Sequence, residues 1–253
     1  MDSITIGEAS IELDRTGSGP PLLFLHGEDY FAQHRPFLDR LARRWRVIVP
    51  RHPGFGGTKR PGWFRQVGDI AYLYLDLLDK EGLDDALVVG ASFGGWVALE
   101  MAVRSSARIG RLVLLGSLGV KFSGREERDI TDLLALSADE VARHVFADPR
   151  HAPDYNTLGE ADLVMVAADR ESAVLYGWRP YMHNPALVHW LHRVSAPTLV
   201  LSGDKDRVTA PAYGERLAAA IPGARFQTVA GAGHYPQIEQ TEAVAAAIEE
   251  FAR

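Results

Sequence analysis

Residues 86–103 read ALVVGASFGGWVALEMAV, an apolar run followed by a glycine-rich turn and a second apolar stretch. The run at 86–89 is typical of a strand buried on both faces, as in a parallel sheet covered by helices. From Trp96 onward the apolar residues are spaced as in a helix. The turn contains Gly-x-Ser-x-Gly with Ser92 at its centre. Strand, turn and helix in this order are typical of a nucleophile elbow, a sharp turn that exposes the serine hydroxyl.

The same alternation of apolar runs and helical spacing continues on both sides of this stretch. Near the N-terminus, residues 3–6 and 10–13 alternate polar and apolar side chains and predict an antiparallel pair of strands. Strands that alternate with helices predict an α/β fold with a mostly parallel central sheet flanked by helices. Further buried strands are predicted at 22–25, 47–49, 112–115, 198–201 and 226–229, and further helices at 37–42, 69–79, 212–221 and 243–251.

The alternation stops after the sixth predicted strand. Residues 117–195 contain helical stretches and several prolines, but no convincing buried strand. We therefore divide the chain into an α/β core, residues 1–116 and 196–253, and a helical cap, residues 117–195. The helices predicted within the cap cover residues 129–136, 138–146 and 161–173.

Composition narrows the classes of function. The chain has 253 residues, no cysteine and a formal net charge of −6 at pH 7 with histidine neutral. Absent cysteine excludes disulfides, thiolate metal sites and a cysteine nucleophile. A mildly acidic chain without a dense basic run is a poor candidate for nucleic-acid binding. The N-terminus lacks a signal-peptide pattern, and the most apolar stretch, residues 86–99, is too short to span a bilayer. We expect a cytoplasmic protein without a membrane partner.

A serine hydroxyl is a weak nucleophile at neutral pH and needs a general base. His234 follows the predicted strand at 226–229 in a glycine-rich loop, where α/β sheets place their catalytic groups. A carboxylate is then needed to orient the imidazole. The loop after the strand at 198–201 offers Asp204 and Asp206. We favour Asp206, because it lies further out on the loop, while Asp204 is close enough to the strand to stabilise the turn.

An oxyanion hole is also required, because negative charge develops on the carbonyl oxygen during attack. One donor is expected to be the backbone N–H of Phe93, the residue after the nucleophile. The second is expected to be the backbone N–H of Glu28, in the loop after the strand at 22–25. A carboxylate beside an oxyanion is unfavourable unless it points away or pairs with a cation. We hypothesise that the Glu28 side chain faces the pocket and disfavours anionic substrates.

Six short motifs occur along the chain: HG at 26–27, PGFG at 53–56, GASFGG at 90–95, PTL at 197–199, GDKD at 203–206 and GAGH at 231–234. In this order they resemble the α/β-hydrolase superfamily, in particular its cap-bearing branch of esterase-like, epoxide hydrolase-like and C–C bond hydrolase-like members. The resemblance implies that the cap is a helical lid over the active site. Ser92 distinguishes the chain from haloalkane dehalogenases and epoxide hydrolases, whose matching nucleophile is Asp. Glu28 and Asp29 depart from the small or apolar residues that many relatives have there.

These residues predict a cofactor-independent serine hydrolase that cleaves a small carboxylic ester, lactone or thioester through an acyl-enzyme. An alternative is a C–C bond hydrolase of a ring-cleavage or diketone-type product, and a non-enzymatic alternative is a small-molecule receptor on the same fold. C–C hydrolases of the dienoic-acid kind usually hold the substrate carboxylate with an Arg in the lid, for which Arg170 and Arg179 are candidates. No nucleotide signature follows a strand, and His189 and His192 lack the further ligands that a metal site needs. Candidate substrate contacts are His26, Gly27, Arg170, Trp178, Arg179, Tyr181 and Tyr235.

Overall fold

A computed structural model describes residues 2–253 and contains one sheet of eight strands within that range. The strands are β1 (Asp2–Ile6), β2 (Ala9–Thr16), β3 (Pro21–Leu25), β4 (Arg46–Pro50), β5 (Ala86–Ala91), β6 (Ile109–Leu115), β7 (Thr198–Gly203) and β8 (Arg225–Val229). Their spatial order is β1-β2-β4-β3-β5-β6-β7-β8. β3 to β8 pair in parallel, whereas β1 pairs with β2, and β2 with β4, in antiparallel fashion.

The central strands are covered on both sides, which explains their continuous apolar sequences. Every residue of β5 and β7 is buried, as expected for parallel strands between two layers of helices. The predicted α/β-hydrolase fold is confirmed. The helices are α1 (Arg35–Leu41), α2 (Val67–Lys80), α3 (Phe93–Arg104), α4 (Ala138–Val145), α5 (Glu160–Gly177), α6 (Leu187–Trp190), α7 (Pro211–Ala220), α8 (Pro236–Glu239) and α9 (Thr241–Phe251).

The turn from β5 into α3 is so tight that two of its positions require glycine. A Cβ on Gly94 would lie 2.1 Å from the carbonyl oxygen of Leu25, on the neighbouring strand β3. A Cβ on Gly90 would lie 2.5 Å from the carbonyl oxygen of Gly94. The two glycines of the Gly-x-Ser-x-Gly motif therefore let α3 approach the sheet closely, with Ser92 at the carboxyl end of β5.

The segment between β6 and β7 contains the helices α4, α5 and α6, several short 3₁₀ turns joined by loops, and one isolated β-bridge between Gly119 and His183. The predicted helix at 129–136 is wrong, because this stretch forms only a short 3₁₀ turn over Leu133–Ala135. Polar groups of residues 129–136 form hydrogen bonds with distant parts of the chain instead. The backbone N–H of Thr131 donates to the carbonyl oxygen of Val208 at 2.9 Å, and the Thr131 hydroxyl donates to that of Arg207 at 2.8 Å. These long-range bonds replace the local bonds of a helix.

Buried polar contacts connect residues 117–195 to the rest of the chain. Tyr213 on α7 exchanges two 3.1 Å hydrogen bonds with the backbone of Val120. Ser172 on α5 donates to the carbonyl oxygen of Gly54 at 2.7 Å. The segment thus packs against the core, while its division from the core at residues 117 and 195 remains a prediction. Within residues 2–253, no helix combines the length and apolar character needed to cross a membrane.

Candidate active site

The structure brings Ser92, His234 and Asp206 into one hydrogen-bonded chain. Ser92 Oγ lies 2.8 Å from His234 Nε2, and His234 Nδ1 lies 2.9 Å from Asp206 Oδ2. Ser92 adopts a φ of 51° at the start of α3, a left-handed conformation that costs a non-glycine residue roughly 1–3 kcal/mol. This strained backbone directs the hydroxyl toward the imidazole. All three side chains are buried, so the proton relay is shielded from water.

The carboxylate that reaches His234 belongs to Asp206 and not to Asp204. Asp206 Oδ1 accepts the backbone N–H groups of Val208 at 2.8 Å and Thr209 at 3.0 Å, and these bonds fix its orientation. Asp204 instead accepts the backbone N–H of Gly231 at 2.8 Å and so stabilises the neighbouring turn. The two carboxylates in one loop therefore have separate tasks, one facing the imidazole and one holding the loop.

The electrostatic surroundings of His234 make its imidazole more basic. Burial is the largest influence and opposes the charged form, but the Asp206 charge and hydrogen bond, together with the charge of Glu28, outweigh it. The pKa of His234 is consequently raised above its usual value of 6.5. Because a general base must be unprotonated to accept the Ser92 proton, the site is expected to gain activity as pH rises through this pKa.

The loop that carries His234 is held by Glu239 on α8, a residue that the sequence did not single out. Its carboxylate accepts the N–H of Gly233 at 2.6 Å and that of Asp148 at 2.9 Å. The backbone N–H of His234 donates to the carbonyl oxygen of Val145 at 2.7 Å. The histidine loop is thus tied to the end of α4, within the predicted cap. No local pattern marks Glu239 for this role, since its partners lie both near and far in the chain.

The Glu28 side chain contacts the amide that was expected to stabilise an oxyanion. The backbone N–H of Phe93 donates to Glu28 Oε2 at 3.2 Å. The Glu28 side chain therefore faces the site, and its carboxylate accepts the hydrogen bond of the Phe93 N–H, the expected oxyanion donor. The negative charge of Glu28 also contributes to the raised pKa of His234.

A cavity of about 230 Å³ lies between the core loops and residues 117–195. It is slightly smaller than typical ligand pockets, which hold roughly 300–1,000 Å³. Three charged residues face it: Glu28, Asp29 and Arg170. Ser92 and His234 are fully buried and do not line it. Its other lining residues are mainly apolar, among them Ile130, Leu133, Val141, Ala173 and Met182.

Arg170 is already bound to other protein groups in this structure. Its guanidinium donates to Asp29 Oδ2 at 3.1 Å and to the hydroxyl of Tyr155 at 2.7 Å. Burial raises the pKa of Asp29 above its usual value, although the positive charge of Arg170 acts in the opposite direction. Asp29 follows β3 and Arg170 lies on α5, so this ion pair connects the core to the segment above it. The sequence did not single out Asp29 as a partner of Arg170.

Two of the seven expected substrate contacts, Arg170 and Tyr181, line this cavity. Trp178 and Arg179 are placed elsewhere and border a separate cavity beside Trp96. Trp178 is also 52% exposed. The sequence could not separate these positions, because Trp178, Arg179 and Tyr181 lie in the turn that follows α5, where no helical periodicity predicts which way a side chain faces.

The other three expected contacts, His26, Gly27 and Tyr235, do not line the cavity either. His26 is buried, with Nδ1 at 2.6 Å from the carbonyl oxygen of Gly27 and Nε2 accepting the N–H of His52 at 3.1 Å. A Cβ on Gly27 would lie 2.5 Å from the hydroxyl oxygen of Tyr235. These buried residues therefore pack around the loop that carries Glu28 and do not reach the cavity. Among residues 2–253, no three His, Asp or Glu side chains are grouped closely enough to hold a metal ion.

The chain is similar to known hydrolases along most of its length. A sequence profile of the alpha/beta hydrolase family matches residues 22–247. A 2-hydroxymuconate semialdehyde hydrolase of Pseudomonas putida is 31% identical over 93% of this chain and 88% of its own length. A second protein of that name, from Pseudomonas sp. strain CF600, is 28% identical over 94% of this chain and 89% of its own length.

Solved structures show the same fold. The enol-lactonase from Burkholderia xenovorans LB400 superposes with a TM-score of 0.80 at 21% identity and covers 99% of both chains. A meta-cleavage product hydrolase from Pseudomonas fluorescens IP01 superposes with a TM-score of 0.78 at 24% identity, over 99% of this chain and 97% of its own. At these identities the similarity concerns the fold alone.

Proposed function

The chain belongs to the alpha/beta hydrolase family and is a hydrolase, and we propose that it cleaves a carbon–carbon bond beside a ketone in a small, uncharged, diketone-type substrate. The observation that carries this proposal is the similarity to a curated C–C bond hydrolase across almost the whole chain. This similarity favours C–C bond hydrolysis, the alternative in the sequence analysis, over ester cleavage. The hydrogen-bonded chain of Ser92, His234 and Asp206 supports a mechanism through an acyl-enzyme.

In the proposed reaction, His234 accepts the proton of Ser92 while Ser92 Oγ attacks one ketone carbon. Asp206 stabilises the imidazolium that forms. The oxyanion of the tetrahedral intermediate accepts hydrogen bonds from the backbone N–H groups of Phe93 and Glu28. When the intermediate collapses, the C–C bond breaks and its electron pair passes to the enolate of the second ketone. His234 returns the proton to the enolate carbon, and water, deprotonated by His234, then releases the acyl group from Ser92.

The preference for an uncharged substrate is proposed from the charges around the cavity. Glu28 and Asp29 are acidic, while Arg170 is the single basic residue among the described lining residues. Arg170 already donates to Asp29. A substrate carboxylate would therefore meet a site with excess negative charge, and like charges at close range repel. The named substrate of the curated relatives is a carboxylate, so the proposal gives this chain a different substrate charge.

Ester or lactone cleavage is the second candidate function. The proton relay from Ser92 to Asp206 is sufficient for it, because an alkoxide leaving group takes its proton directly from His234. We further propose that residues 117–195 act as the lid of the site, since this segment supplies most of the residues that line the cavity, among them Tyr181 and Met182.

The experiment compares three substrates of matched size: a 1-aryl-1,3-diketone, a 2-hydroxy-6-oxo-dienoate and a p-nitrophenyl ester. Absorbance reports turnover of each, and mass spectrometry identifies the carboxylic acid and ketone products. We expect the highest kcat/KM with the diketone, measurable ester turnover and weak dienoate turnover. Ser92→Ala is the control for background hydrolysis.

Two results would contradict the proposal. Ester turnover without any diketone cleavage would favour the second candidate function. Dienoate turnover that exceeds diketone turnover and falls strongly in Arg170→Ala, but not in Arg179→Ala, would show that Arg170 leaves Asp29 and binds a substrate carboxylate.

A further inference from the structure

The Glu28 side chain lies where the carbonyl oxygen of a substrate would be held. The backbone N–H of Phe93 donates to Glu28 Oε2 at 3.2 Å. The donor that would stabilise a developing oxyanion is thus already satisfied by a carboxylate. A substrate carbonyl can take this N–H only after the carboxylate has left it.

Burial of the nucleophile is consistent with a closed site. Ser92 and His234 both have 0% of their surface exposed. Glu28 lines the cavity, whereas neither Ser92 nor His234 does. Glu28 therefore lies at the boundary between the cavity and the nucleophile. Its side chain is only half-buried, so the carboxylate can turn toward the cavity when a substrate enters.

Charge makes this contact important for the transition state. An oxyanion at the Phe93 amide would lie beside the Glu28 carboxylate, and two negative charges at hydrogen-bonding range repel strongly in a buried site. The cation that faces the cavity in the described chain, Arg170, is bonded to Asp29 at 3.1 Å. The displaced Glu28 carboxylate consequently needs a new partner, and the substrate can supply one.

We propose that Glu28 is an internal ligand of the oxyanion site and restricts turnover to acyl substrates with a hydrogen-bond donor beside the scissile carbonyl. A hydroxyl, an enol O–H or an amide N–H at that place can bind the displaced carboxylate while the carbonyl takes the Phe93 amide. A substrate without such a donor leaves a partly buried carboxylate unpaired, which disfavours the productive complex. The inference rests on the proposed role of Ser92. A diketone satisfies it by binding as the enol, which then ketonises before the C–C bond breaks, because only the second ketone can take up the electron pair as an enolate.

The first experiment measures how fast an uncharged fluorophosphonate labels Ser92, with intact mass as the readout. Labelling needs the nucleophile and the oxyanion site, but no particular substrate. We expect Glu28→Ala to raise the second-order labelling rate at least tenfold, because the Phe93 amide becomes free. Glu28→Gln is expected to give a smaller rise, since its amide oxygen can still accept this N–H but carries no charge.

Asp132→Asn is the control, because Asp132 is a carboxylate that borders a neighbouring cavity and makes no contact with Phe93. Asn can still accept the hydrogen bonds of the Leu134 N–H and of Arg128. This variant is expected to label at the wild-type rate. Glu28→Asp keeps the charge on a side chain one methylene shorter, and is expected to label faster than wild type. If all folded Glu28 variants label at or below the wild-type rate, Glu28 does not close the site and the proposal is overturned.

The second experiment tests the donor requirement with two esters, p-nitrophenyl butyrate and p-nitrophenyl 3-hydroxybutyrate. We expect the wild-type protein to prefer the hydroxylated ester at least tenfold in kcat/KM. Glu28→Ala is expected to remove the preference by raising kcat/KM for the plain ester. An unchanged preference in Glu28→Ala, or equal loss on both esters, would overturn the proposal.

The same experiments distinguish failure of the Glu28 proposal from failure of the proposed C–C hydrolase function. Absent labelling of Ser92 in the folded wild-type and Glu28→Ala proteins would contradict the serine mechanism itself. Absent diketone cleavage together with fast labelling of Glu28→Ala would contradict the C–C reaction and leave the role of Glu28 supported.

Discussion

The two sides of Ser92 differ in their readiness for catalysis. On the base side, His234 is hydrogen-bonded to Ser92 at 2.8 Å and to Asp206 at 2.9 Å. On the oxyanion side, the Phe93 amide is occupied by the carboxylate of Glu28. The base side is anchored through backbone groups of loops at the ends of parallel strands, which cannot rearrange cheaply. The oxyanion side depends on one half-buried side chain, which can turn. We therefore expect proton transfer to need no rearrangement of the protein, and oxyanion stabilisation to depend on the substrate that displaces Glu28.

The largest expected effect comes from removal of Ser92, the proposed nucleophile, on which both sides would act. Ser92→Ala should lower kcat by about 10⁴-fold or more, because covalent attack is lost and only binding contributions remain. Steady-state turnover and fluorophosphonate labelling measure this loss. Turnover that survives Ser92→Ala within tenfold of wild type would mean that another group attacks the substrate.

The base side is tested by exchanging its two carboxylates separately. Asp206→Asn should lower kcat by about 10³- to 10⁴-fold, because the imidazole loses the partner that fixes its tautomer. Asp204→Asn is the matched control, and should retain most activity because an amide oxygen can still accept the Gly231 N–H. Equal losses in the two variants would show that loop folding, and not the imidazole contact, is what the experiment detects.

The influence of Glu28, on the oxyanion side, on the pKa of His234, on the base side, is tested by the pH dependence of kcat/KM. The acidic limb of kcat/KM should rise with pH through the pKa of His234, which lies above 6.5, because only the neutral imidazole can act as base. Removing the negative charge in Glu28→Gln makes the imidazolium less stable, so the limb should move to lower pH. A limb at the same pH in both proteins would mean that Glu28 does not act on His234.

The smallest expected effect concerns the attachment of residues 117–195 to the core. Arg170→Ala removes a partly exposed ion pair with Asp29, worth roughly 0–1 kcal/mol, so Tm should fall by only about 2–4 °C or less. Arg179→Ala, which breaks no ion pair with the core in the described chain, is the control and should leave Tm unchanged. A Tm loss above about 8 °C in Arg170→Ala would show that this contact holds the fold.

Helices and strands were predictable from the sequence where the local pattern and the tertiary packing favour the same secondary structure. β5, its glycine turn and α3 follow from one contiguous stretch, since apolar runs and glycine spacing act within a few residues. The predicted helix at 129–136 failed because Thr131 bonds instead to Arg207 and Val208, far along the chain. The anchoring of Gly233 by Glu239 escaped prediction for the same reason.

Local patterns in the sequence were sufficient to predict the order of strands and helices. They also identified the candidate residues Ser92, Asp206 and His234, because each of the three lies just after a recognisable strand. Parallel strands bring their carboxyl ends together, so these residues were expected to meet. The direction of the Glu28 side chain, the pairing of Arg170 with Asp29 and the placement of Trp178 and Arg179 away from the cavity emerged only in three dimensions. Side-chain direction in loops and irregular helices depends on distant neighbours and charges, for which a single sequence carries no periodic signal.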